Sequence, residues 1–121
     1  MPYHSNVKSK PVTLVELPEF QRLAHALLTE RELDDLKAFL AFNPEAGVVM
    51  KGTGGVRKLR WAIGAKGKSG GSRIICYYQD LRFPILLITL FAKNVRVDLS
   101  QAQQNRLKQL IEVIKQTRRT S

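Results

Sequence analysis

The chain has 121 residues, a common size for one domain, and its 44% hydrophobic and 25% charged residues are ordinary globular values that exclude wholesale disorder. Lys and Arg number 20 against 10 acids, a formal charge of +10, which points to a polyanionic partner. The lone Cys76 excludes an intramolecular disulfide, the distant His4 and His25 exclude a zinc pair, and the longest apolar run, Pro84 to Ala92, is far short of the roughly 20 residues that span a bilayer.

Residues 1–10 read as a mobile lead-in with no signal-peptide core. Val12 to Leu17, rich in β-branched residues, predicts a first strand that stops at Pro18, and Pro18 suits the first turn of a helix carrying Phe20, Leu23, Ala24 and Leu27 at helical spacing. Thr29 and Glu32 have capping-box spacing, and Leu33, Leu36 and Leu40 supply the apolar stripe of a second helix, which Asn43-Pro44 ends. Val56 to Ile63 predicts a basic strand: Leu59, Trp61 and Ile63 share one face, and Lys58 and Arg60 point the other way. A glycine-rich cationic loop from Gly64 to Gly71 follows, then strands over Arg73 to Gln79 and Ile85 to Phe91. Ser100 and Gln103 repeat the capping-box pattern ahead of Leu107, Leu110, Ile111 and Ile114, so an amphipathic helix runs to about Arg118. The order strand, helix, helix, three strands, helix predicts one α+β domain over 1–121. Its antiparallel sheet would carry the two N-terminal helices on one face and leave the other open for a ligand.

Charge is segregated along this framework. Residues 1–50 carry 5 basic and 7 acidic side chains, and residues 51–121 carry 15 basic and 3 acidic. Lys51, Arg57, Lys58, Arg60, Lys66, Lys68 and Arg73 fall in a stretch without Asp or Glu, a field that attracts phosphates. The loop lacks the GxxxxGK[ST] order of a nucleotide-binding loop, so its glycines read as turn residues and Lys66 and Lys68 as a clamp on RNA. His4 and His25 are poorly placed as general bases, and Cys76, between Ile75 and Tyr77, reads as a buried apolar residue. RNA supplies its own nucleophile in the 2′-hydroxyl, so cations that hold the scissile phosphate and stabilise its growing charge suffice for much of an RNase mechanism.

Three blocks carry a further signal: Gly52-Thr53-Gly54-Gly55-Val56-Arg57-Lys58-Leu59-Arg60, then Gly67-Lys68-Ser69-Gly70-Gly71-Ser72-Arg73-Ile74-Ile75-Cys76-Tyr77-Tyr78, and Ala92-Lys93-Asn94. In order and spacing they resemble the HigB-type branch of the RelE superfamily of toxins. The resemblance implies a microbial-RNase-like fold and a type II toxin–antitoxin toxin that enters the ribosomal A site and cleaves translated mRNA, leaving a 2′,3′-cyclic phosphate and a 5′-hydroxyl. It implies a cognate antitoxin, the ribosome and mRNA as partners, with no metal or small-molecule cofactor, while the lone Cys76 fits a reducing cytoplasm and the short apolar runs predict no membrane contact. Carried onto this chain, Arg73 and Lys93 are the leading catalytic contacts, with Lys58, Arg60, Lys66 and Lys68 supporting. Its place in the acid-free stretch adds Arg57 to the RNA-binding set, and Tyr77 or Tyr78 is a candidate for stacking on a base. Phe91 stands where the family has a tyrosine, and it cannot transfer a proton. The other reading of the same basic face is a noncatalytic RNA- or DNA-binding regulator.

Overall fold

The computed structural model describes residues 10–61, 71–93 and 98–120. The expected lead-in up to residue 9 and the loop bearing Lys66 and Lys68 lie outside the described residues. The described elements run β1 (Leu14–Glu16), α1 (Pro18–Leu27), α2 (Glu30–Phe42), β2 (Val48–Val49), β3 (Arg57–Trp61), β4 (Ser72–Tyr77), β5 (Ile85–Ala92) and α3 (Gln101–Thr120). The α+β class is as expected.

Local chemistry sets the helix boundaries. Pro18 opens α1, where its missing N–H costs nothing. Thr29 Oγ1 accepts from the Glu32 N–H while Glu32 Oε1 accepts from the Thr29 N–H, closing the expected capping box at α2. Ser100 and Gln103 make the same reciprocal pair ahead of α3, at 3.2 and 2.9 Å.

The sheet order is β1-β5-β4-β3-β2. Pairing is antiparallel from β2 to β5, as expected, whereas β1 lies parallel to β5, with Leu14 opposite Ile85 and Glu16 opposite Leu87. Alternation assigns a strand's faces but carries no information about direction, so the mixed character of the sheet has no sequence signature. The two-residue β2 is too short to show alternation at all.

Two cores flank this sheet. On one side Phe20, Ala24 and Leu28 from α1 and its end, with Leu36 and Leu40 from α2, meet Ile74, Cys76, Ile85, Leu87 and Leu90. On the other, Leu99 with Leu107 and Ile111 of α3 meets Val56, Ile75, Tyr77, Ile88 and Phe91. The face expected to lie open is therefore covered along much of its area by α3, because the helix has an apolar stripe that needs a surface to bury. Ile75 opposes Thr89 and Cys76 opposes Leu87, so Ile88 is an extra residue in β5. This bulge reverses the alternation, and Ile88 and Phe91 reach the α3 side while Leu87 and Leu90 reach the other.

The turn before β3 seats α3. Gly52, Gly54 and Gly55 have φ values of 78°, 84° and 117°, a region that favours glycine. Fully buried Thr53 donates to the Met50 carbonyl at 2.7 Å and accepts from the Val56 N–H at 3.0 Å. A Cβ on Gly54 would lie 3.2 Å from Ile111 Cγ2, a tight approach that the helix side chain would have to yield to, so the turn and α3 are in close contact here. At the helix's far end Arg118 reaches Asp80 at 3.2 Å and lies 3.9 Å over the Phe83 ring, tying α3 to the β4–β5 turn.

Candidate functional site

Lys58 and Arg60 lie on the α3 side of β3, because Leu59 and Trp61 between and beyond them pack toward α1 and α2. Across the ladder Arg60 opposes Arg73 and Lys58 opposes Ile75. Direct opposition sets Cβ atoms about 5 Å apart, and like charges so placed destabilise a sheet. Two guanidinium-bearing residues face each other here, with an ammonium two residues along the same strand. Lys93 joins them at the end of β5, where its N–H donates to the Gly71 carbonyl at 3.1 Å, two residues before Arg73.

The four cations differ in exposure. Arg60 and Lys93 are exposed, whereas Arg73 is 8% exposed, with its guanidinium donating to the Ser72 carbonyl at 3.3 Å. Such a side chain presents a small, fixed part of itself, which suits electrostatic contact with a single group better than a mobile surface clamp.

Asp98, just before α3, belongs to this site and was not among the residues expected there. Its Oδ2 accepts from Lys58 Nζ at 2.8 Å, and its Oδ1 accepts from the Leu99 N–H at 2.8 Å. The hydrogen bond from Lys58 holds its carboxyl below the ordinary aspartate range, partial desolvation opposes that, and the Leu99 N–H and the charges of Lys58 and Arg73 add to the lowering. The cationic stretch is acid-free in sequence, but folding brings a carboxylate to it across 40 residues. The one available signal was that Asp98 is among only three acids after residue 50 and stands two residues before a capping serine.

Other expected contacts lie elsewhere. Arg57 opposes Cys76, on the side of α1 and α2, and its Nη1 donates to the carbonyls of Glu45 at 2.8 Å and Gly47 at 3.3 Å. It therefore anchors the loop before β2, away from Lys58 and Arg60. Tyr77 is 5% exposed within the α3-side core, and burial raises its phenol above the ordinary tyrosine range. Its ring packs in the interior instead of offering an open platform for a base. The Gly52 to Gly55 block serves the seat of α3. Lys66, Lys68 and Asn94 lie outside the described residues.

Cys76 is fully buried on the α1 and α2 side, as its apolar neighbours predict. Phe91 opposes Arg73 directly across the ladder and is 7% exposed, so the cross-strand neighbour of Arg73 is apolar where the family resemblance would put a tyrosine. Among the described residues no helix is long and apolar enough to cross a membrane. No protein-family model matches the chain.

Proposed function

We propose that the protein is a metal-independent endoribonuclease that cleaves mRNA in the ribosomal A site, a toxin of a type II toxin–antitoxin system restrained by a cognate antitoxin. The observation that carries this reading is the placement of Arg60 opposite Arg73, with Lys58 on the same face and Lys93 at the adjoining strand end. The four cations outnumber the Asp98 carboxylate beside them, and a phosphodiester is the anion an RNase needs to hold. In the proposed reaction the 2′-hydroxyl gives up its proton as its oxygen bonds to the neighbouring phosphorus, the bond from phosphorus to the 5′-oxygen breaks and that oxygen takes up a proton, giving a 2′,3′-cyclic phosphate and a 5′-hydroxyl. Arg73 and Lys93 stabilise the negative charge growing on the phosphoryl oxygens, while Arg60 and Lys58 hold the strand. The resemblance of the three sequence blocks to HigB-type toxins supports the ribosome as the place of action and a cytoplasmic location.

Primer extension on mRNA from a translating extract tests the reading. The protein should generate new 5′ ends, and the double variant Arg73→Met, Lys93→Ala should lower their yield by about 100-fold or more while retaining its circular dichroism spectrum. Undiminished cleavage by the folded double variant would refute the site assignment. The second reading, a noncatalytic nucleic-acid-binding regulator, is favoured by Phe91, which places no proton-transfer group beside Arg73. In that case RNA is retained and no new ends form at any dose.

A further inference from the structure

An acid in a phosphate-binding face opposes the face's purpose, since it repels the ligand. Asp98 nevertheless lies there, and its two oxygens have different employments: Oδ1 accepts from the Leu99 N–H, whereas Oδ2 reaches across from the start of α3 to Lys58 on β3. A cap on the local backbone explains the first oxygen only. The second fixes the end of a lysine whose flexible stem would otherwise let the ammonium roam, and it occupies one of the ammonium's three N–H donors. The Lys58 side chain remains 26% exposed and that of Asp98 47% exposed, so the pair is accessible to an incoming strand. A role for Asp98 as proton acceptor fits poorly, because both oxygens are occupied and its partners favour the ionised form.

We infer that Asp98 is a positioning residue for Lys58, holding that ammonium on the Arg60 and Arg73 side of the sheet so that a phosphate of a bound RNA strand meets a preset cation. Asp98 itself does not contact the RNA. The inference rests on the RNA-binding part of the proposed function and does not require cleavage.

A double-mutant cycle on binding decides it. Dissociation constants for a short single-stranded RNA are measured by fluorescence anisotropy over a range of salt concentrations for the unmodified protein, Lys58→Met, Asp98→Asn and the double variant. With Asp98 present, Lys58→Met should weaken binding about fivefold and reduce the steepness of the salt dependence by about 0.7. In the Asp98→Asn background the same change should cost about twofold or less. Asp98→Asn alone should weaken binding by about twofold, because the gain from removing a negative charge does not make up for an ammonium that is no longer preset. Equal penalties for Lys58→Met in both backgrounds would overturn the proposal. Asn keeps an acceptor for the Leu99 N–H, and Asp98→Ser keeps one with a shorter reach, so either variant separates the link to Lys58 from the backbone cap; melting temperatures verify that both fold.

Cleavage is scored on the same proteins. Asp98→Asn should raise the protein concentration needed for half-maximal cleavage more than it lowers the rate at saturation, a split that a general structural defect would not give. If the unmodified protein produces no ends, the endonuclease reading fails, and the binding cycle still decides the role of Asp98.

Discussion

Cys76 shows how completely a residue's surroundings govern its chemistry. Burial pushes its thiol from 9.0 up to about 11, against a smaller lowering by the Arg57 charge. The thiolate is therefore scarce at neutral pH, and the sulfur should resist alkylation until the protein unfolds. The sign of the pH effect follows: the folded state keeps its proton where the unfolded thiol has lost it, so the stabilisation is complete below pH 9 and declines as pH rises through about 11. Urea midpoints should show the protein losing roughly 3 kcal/mol across that window relative to Cys76→Ala; parallel profiles for the two proteins would contradict it. Cys76 was legible from its apolar neighbours. Arg73 was legible as a cation but not as a buried one, because local composition does not reveal that Phe91 lies directly across the ladder. Arg57 was grouped with Lys58 and Arg60 by charge, although the alternation that sends Leu59 and Trp61 toward α1 and α2 sends Arg57 there too.

Glycines in the turn before β3 separate two costs at the level of the element. Gly52 and Gly54 have similar positive φ values, but a Cβ on Gly52 meets nothing within 4 Å, whereas one on Gly54 meets Ile111. Gly52→Ala should cost about 1 kcal/mol from backbone strain alone, and Gly54→Ala about 1–3 kcal/mol more through displacement of α3. Chemical denaturation of both variants checks the difference, and equal losses would mean that the helix yields without cost. The helices and the three longer strands could be anticipated because their periodicities and caps are local properties. β2 could not, being two residues long, nor could the parallel pairing of β1, which depends on where the chain returns after the whole of residues 17–84. The three glycines were visible as a cluster, but their employment as a seat for α3 needed the helix in place.

Across the whole molecule, a net charge of +10 and its concentration after residue 50 account for attraction to a polyanion without specifying where contact occurs. If Lys58, Arg60, Arg73 and Lys93 all meet phosphates, the logarithm of the binding constant for single-stranded RNA should fall against the logarithm of salt concentration with a slope of about −3. Anisotropy titrations between about 50 and 200 mM salt would measure it, and a slope near zero would remove the proposed interface. The two-sided build of the sheet has a bearing on synthesis as well. Every buried residue of the core beneath α1 and α2 has been translated once the chain reaches Phe91, whereas the opposite core still lacks Leu99, Leu107 and Ile111. A nascent chain at that point is half a sandwich, with Val56, Ile75, Tyr77, Ile88 and Phe91 bare on one side, the kind of surface that holding chaperones grip and that like chains stick to. Asp98 arrives with the segment that closes this face, so the step that ends the chain's period of greatest vulnerability to aggregation is also the step that first sets Lys58 in place.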